Sequence, residues 1–223
     1  MVEGTDGASG SAIHRVIVKV CGITRAEDGL CALEAGADWL GFIRWPGSPR
    51  YRSLESCSET LREIRARCAR PFEVVGVYVD ASADDIKAEV EQIGFDRAQL
   101  HGDERPDFIA ALPVPVIKVI KIAGPESVDQ AAEYPETLIL TDTAHPRLVG
   151  GTGESYDAGI LEGLVRERPV IVAGGLTPEN VGNVVRDLAP FGIDVSSGVE
   201  QSPGLKDSRK IKDFVSAVRD AGA

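Results

Sequence analysis

The chain predicts an α/β protein of the single-domain (β/α)8, or TIM barrel, class. Eight short β-rich runs alternate with segments whose apolar residues recur at three- and four-residue spacing. Strict alternation of this kind builds a parallel sheet with helices packed outside it. The runs are nearly continuous apolar stretches, as expected of strands covered on both faces. Eight such units in 223 residues exceed a doubly wound sheet of five or six strands and fit a closed barrel near its lower size limit.

The strand candidates are Val16–Val20, Trp39–Phe42, Glu73–Val79, Arg97–Leu100, Val116–Ile120, Thr137–Thr141, Val170–Ala173 and Ile193–Val195. Between them, Leu30, Leu33 and Ala37 mark an apolar face in the first helical segment, and Ile86, Val90 and Ile93 mark one in the third. Start signals open several segments, such as Thr24 before Ala26-Glu27-Asp28 and Thr177-Pro178-Glu179 with proline at the first helical position. The last helix is expected over Asp207–Asp220, with Ile211, Phe214, Val215 and Val218 on one face. Residues 1–14, small and polar, read as a disordered tail ahead of one barrel domain over 15–223.

Composition narrows the function classes. Thirty-five acidic against 24 basic residues give a formal charge of −11, which repels phosphate backbones and anionic lipid. Neither nucleic acid nor a membrane is therefore an expected partner, and no apolar run approaches the roughly 18 residues of a membrane helix. The N-terminus lacks the basic start and apolar stretch of a secretion signal. The four cysteines, Cys21, Cys31, Cys57 and Cys68, match neither a CxxC metal pair nor a dense disulfide framework, so a reducing cytoplasm is the expected home. Three scattered histidines (His14, His101, His145) form no metal-ligand spacing, and no metal is expected. No dinucleotide fingerprint follows the first strand, and Gly150-Gly151-Thr152-Gly153 lacks the lysine of a Walker A loop.

In a barrel of this class chemistry sits at the C-terminal strand ends. Strand seven ends in Ala173-Gly174-Gly175 and strand eight in Asp194-Val195-Ser196-Ser197-Gly198. Glycines let backbone N–H groups approach an oxyanion, and loops at these two strands are a recurrent phosphate site; Gly174, Gly175, Ser197 and Gly198 are the candidates. A tight strand-to-helix turn is the competing reading of Gly174-Gly175. Gly151 and Gly153 suit a loop that closes over a ligand, with a surface excursion as the competing reading. Cys21 ends strand one, where a thiol with a lowered pKa acts as base or nucleophile; the other three cysteines occupy helical, structural positions. Asp142 ends strand six, across the mouth from Cys21, and serves as a general acid if its pKa is raised, with a cap on the loop through Thr143 as the competing reading. Arg50 follows strand two in a proline-stiffened loop, where its fork suits a carboxylate, with a solvated charge run as the alternative. Gln99 and His101 end strand four as polar pocket candidates, with a hydrogen-bonded structural imidazole as the equal alternative for His101. Lys19, two residues before Cys21, is expected buried and charge-paired, with Asp194 as the available partner; Asp194 also suits ordering of its loop through backbone hydrogen bonds.

Together these strand ends resemble the phosphoribosylanthranilate isomerase family of the tryptophan pathway. The matching segments are KVCGIT at 19–24, GADWLGF at 36–42, SPRY at 48–51, QLHGDE at 99–104, LTDT at 140–143, GGTG at 150–153, AGGLTPENV at 173–181 and DVSSGVE-x-x-PGLKD at 194–207. The resemblance implies an Amadori rearrangement of a small phosphoribosyl substrate. Asp142 would be the acid that opens the furanose, Cys21 the base that removes the C2 proton, and Arg50 the anthranilate carboxylate ligand. Gly174-Gly175 and Ser197-Gly198 would hold the phosphate. A protonated imine is its own electron sink, so no cofactor is implied, and a monomer or homodimer is compatible. The chain departs from the family's pattern at Arg44, where a second aromatic is common, and at Glu154-Ser155-Tyr156-Asp157-Ala158, where Phe and Trp are usual. A histidine-pathway relative would carry Asp in place of Cys21, and a non-catalytic binder would be expected to lose Cys21 or Asp142.

Overall fold

The structure, a computed structural model, describes residues 15–143 and 158–222. The expected tail 1–14, the segment 144–149, the 150–153 glycine loop with Gly151 and Gly153, and the departures at 154–157 lie outside the described residues.

Eight parallel strands close on themselves in sequence order: β1 Ile17–Val20, β2 Trp39–Ile43, β3 Glu73–Tyr78, β4 Arg97–Leu100, β5 Val116–Ile122, β6 Leu138–Thr143, β7 Val170–Ala173 and β8 Gly192–Val195. Closure is made by β1 against β8, with Lys19 opposite Asp194. The barrel is the expected fold class, and each strand candidate coincides with an observed strand within a few residues.

Side-chain parity decides what reaches the mouth, because successive residues of a strand point to opposite faces. Trp39, Val75, Ile117, Val119, Leu140, Ile171 and Ala173 pack together inside the barrel, while the larger apolar cluster lies between the strands and the helices. Two residues beyond interior Leu140 comes Asp142, and two beyond interior Val119 comes Lys121. The same step along β1 leads from Lys19 to Cys21. The interior is plugged at its N-terminal end by Trp39, whose ring carries the Arg97 guanidinium at 4.6 Å.

The helices of the outer ring are α1 Ala26–Ala35, α2 Leu54–Arg67, α3 Ala83–Ile93, α4 Pro106–Ala110, α5 Glu126–Asp129, α6 Ala158–Glu167, α7 Val181–Leu188 and α8 Ser208–Ala221. Ser53 and Ser82 cap α2 and α3 by accepting from Ser56 and Asp85 N–H groups, and Asp207 caps α8 through Arg209 and Lys210. The face of α8 is the expected one: Ile211, Phe214, Val215 and Val218 are all buried.

Two expected helix starts shift. Thr24 does not cap α1; Arg25 holds that position, and the Thr24 hydroxyl donates instead to the Gly204 carbonyl. Pro178 lies in a turn ahead of α7, where the Asn180 side chain accepts from Thr177 N–H at 2.8 Å and donates to Gly175 O at 2.9 Å. A turn braced by the Asn180 side chain thus takes the place of a first helical turn. A small hairpin, β9 Glu200–Ser202 with β10 Leu205–Lys206, follows β8 and turns through Gly204 at φ +82°. Apolar periodicity gives no sign of so short a pair.

Candidate active site

A cavity of about 560 Å³ opens at the C-terminal end of the barrel, a size usual for small-molecule sites. Its walls bring together Cys21, Arg50, Gln99, His101, Asp142, Gly174, Gly175, Asp194, Ser197 and Gly198. Cys21 and Asp142 are not straight across the ring. Counting from β1 through β8 and β7 to β6, the two glycine loops stand between them on one side of the mouth.

Cys21 is 5% exposed and shares the barrel interior with Lys19, which is completely buried. The Lys19 ammonium donates to Asp194 Oδ1 at 2.9 Å, and its charge favours ionisation of the Cys21 thiol. Burial alone would lower the Lys19 pKa, but Asp194 and Cys21 outweigh it and leave the lysine firmly charged. Asp194 therefore orders the site through Lys19, on the register that closes the barrel. The expected lowering of the Cys21 pKa is not what the site produces. Burial pushes the thiol above its ordinary value, Lys19 and Lys206 pull it back, and Asp194 pushes it up again. The resting group is a thiol, and the cation beside it stabilises the thiolate when that forms.

The Asp142 carboxyl is raised above its ordinary value, first by burial and then by the charge of Asp194, with Lys121 opposing. That is the direction an acid needs. His101 is pushed down to about 4 by burial and by the nearby lysines, so its imidazole is neutral at pH 7. Gln99 is buried, and among the described residues its Oε1 has no hydrogen-bond partner. A buried amide oxygen without a donor costs free energy unless a ligand supplies one.

Arg50 is not a solvated charge. Its Nε and Nη2 donate to the two carboxylate oxygens of Glu200 at 2.7 and 2.6 Å, a bidentate fork on β9. Gly174 and Gly175 adopt φ of +93° and +60°, the left-handed region, which turns the backbone sharply at the end of β7. At Gly198 a Cβ would sit 1.8 Å from the Leu176 carbonyl oxygen, so the two glycine loops touch through a backbone approach only glycine permits.

Arg44, where the family pattern favours an aromatic, points away from the cavity. Its guanidinium pairs with Glu89 on α3 at 2.8 Å and lies 5.4 Å from the Tyr51 ring centroid.

Several lining or supporting residues are not among the candidates named from the sequence. Trp45, 45% exposed, stands on the cavity rim, and Lys121 and Ser196 line the wall. Gly41 on β2 makes room for the Cys21 and Lys19 side chains on β1, since a Cβ there would lie 2.8 Å from Cys21 Sγ and 3.1 Å from Lys19 Nζ. Parity along β5 is the signal that locates Lys121; for Trp45 the only hint is its place in the Trp45-Pro46-Gly47-Ser48-Pro49 loop.

Comparison with known proteins gives one answer. The model of the N-(5'-phosphoribosyl)anthranilate (PRA) isomerase family matches residues 18–217. The N-(5'-phosphoribosyl)anthranilate isomerase of Myxococcus xanthus is 42% identical over 210 residues, covering 92% of this chain and 96% of that protein. The enzyme of Geobacter sp. strain M21 is 41% identical over 203 residues, 91% of this chain and 97% of its own. Among solved structures, phosphoribosyl anthranilate isomerase from Thermotoga maritima superposes with a TM-score of 0.82 at 35% identity, covering 92% of this chain and 99% of that one. A phosphoribosyl anthranilate isomerase in complex with reduced 1-(o-carboxyphenylamino)-1-deoxyribulose 5-phosphate superposes with a TM-score of 0.80 at 35% identity, again over 92% and 99%. By sequence along nearly its whole length and by the course of its backbone, the chain belongs to the N-(5'-phosphoribosyl)anthranilate isomerase family.

Proposed function

We propose that the cavity converts N-(5-phosphoribosyl)anthranilate to 1-(2-carboxyphenylamino)-1-deoxyribulose 5-phosphate, an Amadori rearrangement in tryptophan biosynthesis. The observation that carries this reading is the meeting, in one cavity, of a raised carboxyl, a thiol beside a buried cation, an arginine fork and two glycine loops.

Asp142 delivers its proton to the furanose ring oxygen. The C1–O bond breaks as the anthranilate nitrogen lone pair moves in, leaving a protonated imine and a free hydroxyl. The Cys21 thiolate then takes the proton from C2, and the C–H electron pair forms the C1–C2 double bond while the imine π pair returns to nitrogen. The enolamine tautomerises, gaining a proton at C1 and losing one from the C2 hydroxyl, to give the ketone. Atoms balance, and the imine nitrogen is the electron sink. Lys19 supports the second step by stabilising the thiolate that burial disfavours. Gln99 Oε1 accepts from a sugar hydroxyl, Arg50 faces the anthranilate carboxylate, and neutral His101 offers a polar wall without a competing charge. Gly151 and Gly153 belong to the proposed substrate-binding set.

The phosphate lies on Gly174, Gly175, Ser197 and Gly198. Gly198→Ala tests this end alone. A methyl group cannot fit 1.8 Å from the Leu176 oxygen, so the two loops must part. Affinity for inorganic phosphate is expected to fall about tenfold or more, the loss of one charge-assisted hydrogen bond, as read by calorimetric titration.

The protein is read as cytoplasmic, working as a monomer or homodimer on this small substrate alone; a Thermotoga maritima relative is described as dimeric, and all four cysteines here are free thiols. The deciding experiment generates phosphoribosylanthranilate in situ and follows its fluorescence, with indole-glycerol-phosphate synthase coupled to remove product. Decay at enzymatic rates, with no cofactor added, supports the reading. A flat trace from folded protein would remove it.

A further inference from the structure

We infer that Glu200 is a positioning residue for the substrate's carboxylate: it fixes the Arg50 guanidinium in one orientation, and Lys206 fixes Glu200 and ties the pair to the phosphate loop. The inference rests on the substrate proposed above. Neither Glu200 nor Lys206 takes part in the acid–base chemistry.

Glu200 opens β9, immediately beyond the turn at Ser197–Val199, and is 7% exposed. A buried carboxylate must be paired or fully hydrogen-bonded, and this one is both. Its Oε2 accepts from Arg50 Nη2 at 2.6 Å. Its Oε1 accepts from Arg50 Nε at 2.7 Å, Lys206 Nζ at 3.0 Å and Gly204 N–H at 3.2 Å. Lys206, 3% exposed, donates a second bond to the Ser196 carbonyl at 3.0 Å, at the end of β8. One buried cluster thereby joins the β2 loop that carries Arg50 to the β8 loop that faces the phosphate.

The orientation has a chemical consequence. A guanidinium presents its donors along two edges that each match a carboxylate. Glu200 occupies the Nε–Nη2 edge, which leaves the Nη1–Nη2 edge of a cavity-lining arginine to bind a second carboxylate bidentately. Charge points the same way. Arg50 with Glu200 alone would be neutral and would attract an anion weakly. Lys206 makes the trio net positive, so the held arginine still favours a carboxylate. Burial lowers the Lys206 pKa, opposed by Glu200, and the surrounding cations hold the Glu200 carboxyl below its ordinary value despite its own burial.

The test reads carboxylate preference, which loss of general stability would not move. Binding is measured for two probes: reduced 1-(2-carboxyphenylamino)-1-deoxyribulose 5-phosphate and the same compound lacking its carboxyl group. In Glu200→Ala the carboxylated probe is expected to weaken at least about tenfold and the other by less than roughly threefold. Arg50→Ala should abolish the preference by itself, and adding Glu200→Ala should then leave the ratio unchanged. Equal weakening of both probes would reduce Glu200 to a structural prop and overturn the inference. So would an unchanged ratio. A ratio that rises would mean Glu200 competes with the ligand for Arg50, which also overturns it. If Glu200→Ala does not fold, Glu200→Gln, which keeps the shape and gives up the charge, is expected to lower the ratio severalfold; a wild-type ratio there is the contrary result. Failure of the substrate reading is distinguishable, because it shows as no turnover in the unaltered protein.

Discussion

Cys21→Ala is expected to cut kcat by about 10²–10⁴-fold, the usual worth of one positioned base, while affinity for the reduced product analogue changes little. The reasoning is local. The thiol stands beside a fully buried, charged lysine, and removing it leaves Lys19 paired with Asp194 and the barrel register intact. The substrate contacts proposed for Arg50 and the glycine loops do not pass through the sulfur, so the ground state should be spared and the proton-transfer step should not. Cys31→Ala is the control. That thiol sits half-exposed on α1, within 3.7 Å of the Ser208 carbonyl and outside the cavity, and its loss should leave kcat within roughly twofold. Steady-state fluorescence kinetics check both variants. Equal, mild effects would mean the base lies elsewhere.

Asp142→Asn is expected to lower kcat by a similar factor, about 10²–10⁴-fold. Asparagine keeps the shape and an acceptor oxygen but has no proton to give to the ring oxygen. The native carboxyl is suited to the task because burial and the charge of Asp194 hold it protonated to higher pH than an ordinary aspartate, although Lys121 limits the rise. Removing the acid should therefore stall ring opening and leave the unopened glycosylamine bound, with KM falling less than kcat. A loss of binding in proportion to the loss of rate would make Asp142 a substrate ligand in place of an acid.

Much of this was legible in the residues themselves. The alternation of strand and helix, and the apolar continuity of the strands, express burial on both faces, which local composition records directly. Cys21, Asp142 and the glycines of β7 and β8 stood out because strand ends are where this architecture exposes chemistry. The Lys19–Asp194 pair followed from parity and from the neighbouring of first and last strands in a closed ring. What escaped were properties set by contacts distant in sequence. The partner of Arg50 lies 150 residues away on a hairpin too short to show periodicity. The direction of the Cys21 pKa depends on how completely the thiol is enclosed, and a residue list carries no solvent. Arg44 stands where the family favours an aromatic, yet Glu89 draws it to the outer face. Thr24 has the chemistry of a cap, but the Gly204 carbonyl claims its hydroxyl.

The most direct test of the acid–base pair is the pH profile of kcat/KM for the unaltered protein and the two variants. The productive form has Asp142 protonated and Cys21 ionised, although the carboxyl is the stronger acid of the two. Its population is small but constant between the two pKa values, falling below the Asp142 pKa as the thiolate is lost and above the Cys21 pKa as the carboxyl proton is lost. The unaltered protein should thus show a plateau through neutrality bounded by two limbs. Without Asp142 the residual rate needs only the thiolate and should climb with pH across that interval. Without Cys21 it needs only the carboxylic acid and should fall across it. Opposite slopes in the two variants are the predicted result; a plateau that survives unchanged in both would contradict the assignment of acid and base.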